Sequence, residues 1–483
     1  MSLTGQVGRN TLIQFIGKIF GTVLGFATVV FMLRYLAPAE YGHYTTVIAY
    51  LGFFSVIADL GLYLMLVREI SKPEARPQHA IGNIMGLRIV AAIVLLGIGL
   101  AVAFTLPYEL IIKQGMVIGV FSFFFIAMNQ LLVGIFQKHL AMKWVMFGEV
   151  GGRVVLLLGV LGVIYLDMGL LAIIAVVVFG SAINLLISFL AAQKYERIKV
   201  QFDWVYWKYI AKETWPLSLS VVLNLVYFRL DTIFLSLMKP AEDVGLYGAA
   251  YKVLEILVTF PNMFVGLLLP VLAATAYVNW DRFKHIFQKA FDFLLMATIP
   301  MIVGGFLIAG PLVAYISGGE EYAQAAPIFQ ILIFAVGFLF LGSLSGHTIV
   351  AINAQRKMVW AYLSVAILGL VSYIVLIPMF SYFGAAAGTV ITELAIMLAG
   401  YILIMRKVKF RLSFKYGLKA IAASIPMGLA IWLSVDLQVF IQAGIGAVVY
   451  AVALYLFKGY DRELIKELIS SPSKAFTNNE SVS

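Results

Sequence analysis

Apolar residues run along this chain in long blocks, not in the alternation of a strand or the single stripe of a soluble helix. A helix that crosses a bilayer needs roughly 20 mostly apolar residues. Fourteen blocks reach that length: 11–33, 41–67, 80–105, 112–136, 146–166, 169–192, 213–237, 244–275, 291–316, 323–350, 358–380, 383–405, 416–435 and 437–457. The connections between them are short, and none could house a soluble catalytic domain. The pattern predicts an all-α integral membrane protein. Its expected parts are an N-terminal six-helix lobe (1–192), a cytoplasmic interfacial linker (193–212), a C-terminal six-helix lobe (213–405), two additional helices (406–457) and a cytoplasmic tail (458–483).

Lysine and arginine placement orients the blocks. With the N-terminus inside and strict alternation, the inner segments hold 26 of the 34 basic residues. The outer segments hold only Arg34, Lys113 and Lys239, and five more lie within helices. Cytoplasmic loops carry this excess in membrane proteins, so fourteen spans with both termini cytoplasmic are expected, in the cytoplasmic membrane. Trp204, Tyr206, Trp207 and Tyr209 stand among lysines in the linker, a composition suited to the inner interface. The first block is long and no small-residue cleavage site follows it, so it reads as a retained helix.

Composition agrees. The chain of 483 residues is 62% hydrophobic and 12% charged, against about 25% charged in soluble domains. The net charge of +10 is scattered between apolar blocks, which points to membrane loops and not to a nucleic-acid site. There is no cysteine, hence no disulfide framework and no thiolate metal site. No cofactor and no metal is expected.

One short phrase is written twice. "RYLAPAEYGHY" occupies 34–44 and "LSLMKPAEDVGLY" occupies 235–247. Each places Pro-Ala-Glu and then Gly-x-Tyr between two apolar blocks, on the outer side. Six helices separate the copies, so both halves enter the membrane the same way round. That is a parallel repeat about an axis along the membrane normal. With "ADLGL" after the first copy and "RLDTIFLSLMKPAEDVGLYGAAYKVLE" followed by "FP" around the second, the chain resembles the polysaccharide flippases. These are the Wzx-type branch of the multidrug/oligosaccharidyl-lipid/polysaccharide exporter superfamily. The resemblance covers most of the chain. It implies a V-shaped bundle of twelve core helices plus two, moving undecaprenyl- or dolichyl-linked oligosaccharides by alternating access. A polysaccharide polymerase or glycosyltransferases would be its partners.

Charged groups inside spans usually face a bundle interior or a cavity. Ser220, Asn224, Tyr227 and Asp231 follow spacings of four, three and four, which puts them on one helix face. Lys252, Glu255, Thr259 and Asn262 do the same in the next block. Interhelical hydrogen bonding, worth about 0.6 kcal/mol each, is the favoured reading for the serine, threonine and asparagines. For Asp231, Lys252 and Glu255 a cavity and a structural ion pair both stay open. Arg229 sits about 200° around the helix from Asp231. In the first half, Lys18 shares a face with Gln14, Gly21, Gly25 and Thr28. Asp59, Arg88, Glu149, Arg153 and Glu393 also lie in spans, and snorkelling to the interface is slightly favoured for Arg88 and Arg153. Gly17, Gly21 and Gly25, like Gly384 and Gly388, have the spacing of close helix packing. Pro261 and Pro270 mark the eighth block as the bending element.

A lipid-linked sugar carries phosphate beside a greasy tail and a bulky polar head. Lys18, Arg88, Arg153, Arg229 and Lys252 could receive the phosphate by charge pairing. No GxxxxGK[ST] phosphate loop occurs, so an ion gradient, read by Asp59, Asp231, Glu255 or Glu393, is the expected energy source. A small-molecule or multidrug exporter of the same superfamily is the nearest alternative. A membrane glycosyltransferase would need a large outer loop, which the sequence lacks, and no enzymatic activity is expected. A non-transporting scaffold would tolerate neutralised Lys18 or Lys252.

Overall fold

The computed structural model describes residues 3–59, 61–74 and 76–459, with backbone alone for 3–13, 15 and 215–229. Sixteen α-helices and one 3₁₀ turn (Glu320–Tyr322) make up its regular elements. They are α1 Leu3–Tyr35, α2 Pro38–Asp59, α3 Leu62–Ile70, α4 Pro77–Thr105, α5 Leu110–Lys138, α6 Lys143–Leu166, α7 Gly169–Ala192 and α8 Trp204–Met238. There follow α9 Ala241–Leu257, α10 Thr259–Thr275, α11 Trp280–Leu307, α12 Ala309–Ser317, α13 Ala325–Ala351, α14 Gln355–Val408, α15 Lys415–Leu433 and α16 Val439–Leu456. Among the described residues, twelve helical stretches are long and apolar enough to cross a membrane. Most of the tail lies outside the described residues, Arg462, Lys466 and Lys474 included.

Several blocks are divided, each for a local reason. The eighth breaks between Leu257 and Thr259, and Pro261 is the cause. Proline lacks the N–H that would bond the carbonyl four residues back, and its ring collides with that carbonyl. The ninth breaks after Leu307 in the same way, four residues before Pro311. The second breaks after Asp59, where Gly61 has φ 71°, a left-handed conformation that glycine adopts without strain. The 54 residues of α14 contain one non-helical residue, Ser381, with φ 49° and ψ −129°. The chain doubles back there. A Cβ at Gly384 would overlap the Leu376 carbonyl, and one at Gly388 would lie 2.6 Å from the Tyr373 ring. The small residues of 384–388 thus receive the helix that precedes them.

Helix starts follow caps more closely than apolar content. Asn279 accepts from the Arg282 N–H at 3.0 Å, so α11 begins eleven residues before the apolar block. Asp203 accepts from the Val205 and Tyr206 N–H groups at 2.9 and 3.1 Å. Helix α8 therefore begins inside the expected linker and runs on into the seventh block.

The chain forms two compact units. One comprises Met1–Ala249, Ile316–Tyr322 and Tyr362–Thr389; the other comprises Ala250–Tyr315, Ala323–Ala361 and Val390–Ser483. In the first, α3, α4 and α5 bury a core around Leu66, Ile84, Leu131 and Phe136. The linker crosses α4 at Gly82 and Gly86, where any Cβ would overlap the Lys199 or Gln201 carbonyl. The Gln201 N–H donates to the Gly82 carbonyl at 3.0 Å. Asn83 accepts from the Asp203 N–H at 2.8 Å and donates to Gln201 Oε1 at 3.1 Å.

The two copies of the repeated phrase also meet inside the first unit. A Cβ at Gly42 would overlap the Ala241 carbonyl, and a Cβ at Gly245 would overlap the Pro38 carbonyl. Each glycine is opposed by the carbonyl four residues before the other, so the contact is reciprocal. Helices α2 and α9 approach backbone to backbone at the glycines that the repeat shares.

Candidate functional site

The first unit holds a charge cluster between α1 and α6. Glu149 Oε1 accepts from Lys18 Nζ at 3.5 Å and from Arg153 Nη2 at 3.1 Å. Arg153 Nη1 donates to the Gly21 carbonyl at 2.8 Å. The guanidinium lies over the glycine face of α1: a Cβ at Gly25 would overlap Nη1, and one at Gly21 would be 3.3 Å from Nε. The same stripe accepts Met146, whose side chain a Cβ at Gly17 would overlap. So the glycines of α1 make room for α6 and, with it, an arginine. Side-chain exposure is 42% for Lys18, 27% for Glu149 and 32% for Arg153. Two cations thus share one carboxylate where solvent or a ligand can reach them.

Arg88 is placed otherwise. Its side chain is wholly buried and meets Asp59 at 2.7 Å. It also donates to the Ala58 carbonyl at 2.7 Å, Gln130 Oε1 at 2.7 Å and the Ala127 carbonyl at 3.3 Å. The break after α2 frees the Ala58 carbonyl from its helix partner, and Arg88 supplies the donor. Snorkelling is therefore corrected for Arg88, since the carbonyl at the break and Asp59 hold it inside. Arg153 does not snorkel either, because Glu149 and the Gly21 carbonyl hold it against α1.

Asp231 is 1% exposed. Tyr247 and Thr389 hydroxyls donate to its Oδ2 at 2.6 and 3.1 Å, and the Thr232 N–H donates to Oδ1 at 2.6 Å. Tyr247 is the tyrosine of the second copy of the repeat, and sequence reasoning gave it no such role. Thr389, 158 residues from Asp231, carries no sequence signal at all. Ser220, Asn224, Tyr227 and Arg229 have side chains outside the described residues, so the rest of that expected face is not on view.

In the second unit Lys252 meets Glu255 at 2.7 Å within α9. Thr259 donates to the Glu255 carbonyl at 3.3 Å, and Asn262 to the Val258 carbonyl at 3.1 Å. Both bonds run to the carbonyl four residues back, the first across the break at Val258, and not to another block. Glu393 is 2% exposed beside the buried Thr392. Among the described residues no group of three or more His, Asp or Glu side chains could hold a metal ion.

Outside the spans, Lys72 donates to Glu69 Oε1 at 2.6 Å and to the Tyr209 hydroxyl at 3.2 Å. The Glu69 bond and then the Tyr209 bond hold its ammonium above the ordinary lysine range. This ties the loop after α3 to the start of α8.

Comparison with known proteins narrows the setting. Among solved structures, the fold is similar to the lipid II flippase MurJ in an inward closed conformation (TM-score 0.77, 17% identity, 94% of this chain and 99% of that one). It is also similar to an inward-facing multidrug resistance MATE family transporter of the MOP superfamily (TM-score 0.66, 14% identity, 80% and 94%). A third similar structure is a MOP superfamily transporter from Pyrococcus furiosus described by the reverse polarity of its binding pocket (TM-score 0.59, 14% identity, 84% and 95%). No curated protein matches the chain significantly. The fold is that of the MOP transporters and flippases, in a multi-pass membrane protein. The polysaccharide biosynthesis protein family model matches residues 7–276, and the chain belongs to that family.

Proposed function

We propose that the protein flips lipid-linked oligosaccharide, carried on a polyprenyl phosphate or pyrophosphate, across the cytoplasmic membrane for surface polysaccharide synthesis. It works by alternating access and is coupled to an ion gradient. The observation that carries this reading is the Lys18–Glu149–Arg153 cluster, a half-exposed site within candidate spans where cations outnumber acids. A phosphate oxygen arriving there finds two charged donors already positioned, and it can displace Glu149 as their acceptor. Family membership and the flippase-like fold agree with it.

Lys18, Arg153, Lys252 and, from the sequence pattern, Arg229 receive the phosphate in this reading. Arg88 and Asp59 are left to the fold, because they satisfy one another and the break in the second block. Asp231, Glu255 and Glu393 are the coupling carboxylates, with Ser220, Asn224, Tyr227, Thr259 and Asn262 lining the polar path. The spans number fourteen when α14 is taken as two and the 35-residue α8 as one more. Both termini are cytoplasmic, with lobes at 1–192 and 213–405. A polysaccharide polymerase or glycosyltransferases act before and after it.

The test is translocation of a labelled lipid-linked oligosaccharide in vesicles holding the full chain. Lys18→Gln and Arg153→Gln should each cut the rate about tenfold, the 1.4 kcal/mol of one charge-assisted contact. Unchanged rates in both would sink the cationic-site reading. Transport indifferent to collapse of proton and sodium gradients would remove the coupling. The second reading, a multidrug exporter, is favoured by the MATE-like fold. It would instead appear as efflux of cationic dyes with no movement of the lipid-linked sugar.

A further inference from the structure

A pocket of about 390 Å³ opens in the first unit, and no charged residue lines it. Helix α4 lines it with Ile89, α5 with Phe124 and Met128, and α7 with Leu186 and Phe189, while Val200 of the linker closes one end. All twelve lining residues are apolar. Sugars, ions and peptides have nothing to bond there. The volume falls within the roughly 300–1,000 Å³ of ligand pockets. Leu186 at its edge is 50% exposed, on α7, a helix long and apolar enough to cross a membrane. What reaches such an opening arrives through the bilayer.

The closed end has the opposite character. Gln193 holds the linker backbone there, accepting from the Ile198 N–H at 3.2 Å and donating to the Ile198 carbonyl at 3.4 Å. The segment 193–212 carries Lys194, Arg197, Lys199, Lys208 and Lys212 against only Glu196, Asp203 and no other acid. Glu196 is already engaged by Lys138 and His139, both at 3.1 Å. The five basic residues are exposed. Lys194 and Lys143 approach the Trp144 ring at 5.1 and 5.5 Å, and Lys208 approaches Trp204 at 5.5 Å. Phe202 and Trp204 are 67% and 65% exposed, as in segments that rest at the headgroup level.

We propose that this pocket and the linker together form a binding site for one anionic phospholipid of the leaflet on the basic side. One acyl chain fills the pocket between α4, α5 and α7, and the headgroup phosphate lies among Lys194, Arg197 and Lys199. Charge complementarity selects the occupant: a neutral lipid would satisfy the pocket and leave the basic segment unmatched, whereas an anionic headgroup matches both. The linker runs on into α8, so the bound lipid fixes the segment that joins the two halves of the repeat. The site is independent of what the transporter carries.

Native mass spectrometry of the full chain released from nanodiscs tests it. The nanodiscs hold equal amounts of phosphatidylglycerol and phosphatidylcholine. Retention of phosphatidylglycerol at least fivefold over phosphatidylcholine is expected, and Ala182→Phe, which fills the pocket, should abolish the preference. The triple variant Lys194→Gln, Arg197→Gln, Lys199→Gln leaves the pocket intact and should also abolish it, so the test survives if the filled variant fails to fold. Equal retention of the two lipids overturns the proposal, as does a triple variant that keeps the preference. Added undecaprenyl phosphate supplies the last arm. If it displaces phosphatidylglycerol one for one, the pocket belongs to the transported carrier lipid and the proposal fails.

Discussion

A methyl group at Gly25 would overlap the Arg153 guanidinium, the far end of a flexible side chain. Gly25→Ala should therefore displace the arginine and leave the helix standing, since alanine is the better helix former by about 1 kcal/mol. The expected outcome is a several-fold fall in translocation with an unchanged unfolding midpoint, which separates a site effect from a folding effect. Asp59 should behave in the opposite way. Asp59→Asn keeps the shape and removes the charge facing the buried Arg88, and breaking such pairs costs about 3–5 kcal/mol. Thermal unfolding in detergent should register that loss, while the folded fraction still transports. A coupling role for Asp59 predicts the reverse split. At this scale the sequence made the charges visible, because Lys18, Arg88 and Glu149 interrupt apolar blocks. It did not make their partners visible: Lys18 and Glu149 are 131 positions apart, and no local periodicity joins them.

Helices were legible as apolar blocks, and their breaks only in part. Proline carries its own signal, since the carbonyl four residues back must go unbonded; the breaks at Leu257 and Leu307 obey that rule for Pro261 and Pro311. Ser381 falls in the two-residue gap between the blocks 358–380 and 383–405, so the reversal within α14 was legible as a boundary, and only its tightness is written in the packing of Gly384 and Gly388. Pro261→Ala would restore a donor to the Leu257 carbonyl and relieve an interior cost of about 3 kcal/mol. Helices α9 and α10 should then fuse into one rod. Higher thermal stability with a lower translocation rate is the expected pair of results, because the break would lie in a moving element. An unchanged rate would mean that the bend serves packing alone. The start of α8 at Trp204 has the same lesson: Asp203 caps the helix on the polar side of the apolar block, where hydrophobic content gives no boundary.

At the scale of the whole molecule, the repeated phrase was legible as a duplication, but the meeting of its two copies was not. Gly42 and Gly245 face one another's carbonyls in a reciprocal contact, and both obstacles are backbone, which cannot rotate away. Each single change to alanine should force α2 and α9 apart and cost about 1–3 kcal/mol, the range of overpacking. Once one methyl has widened the gap, the second meets less of the opposing carbonyl. The pair Gly42→Ala and Gly245→Ala should therefore be less than additive, with a coupling of about 0.5–3 kcal/mol as expected of residues in contact. The measurement is a double-mutant cycle on thermal unfolding of the full chain. Strict additivity would mean that the two glycines act on separate neighbours and that the copies do not support one another. A coupling of the expected sign would make the duplicated glycine a joint, kept in both halves because each copy is the surface on which the other rests.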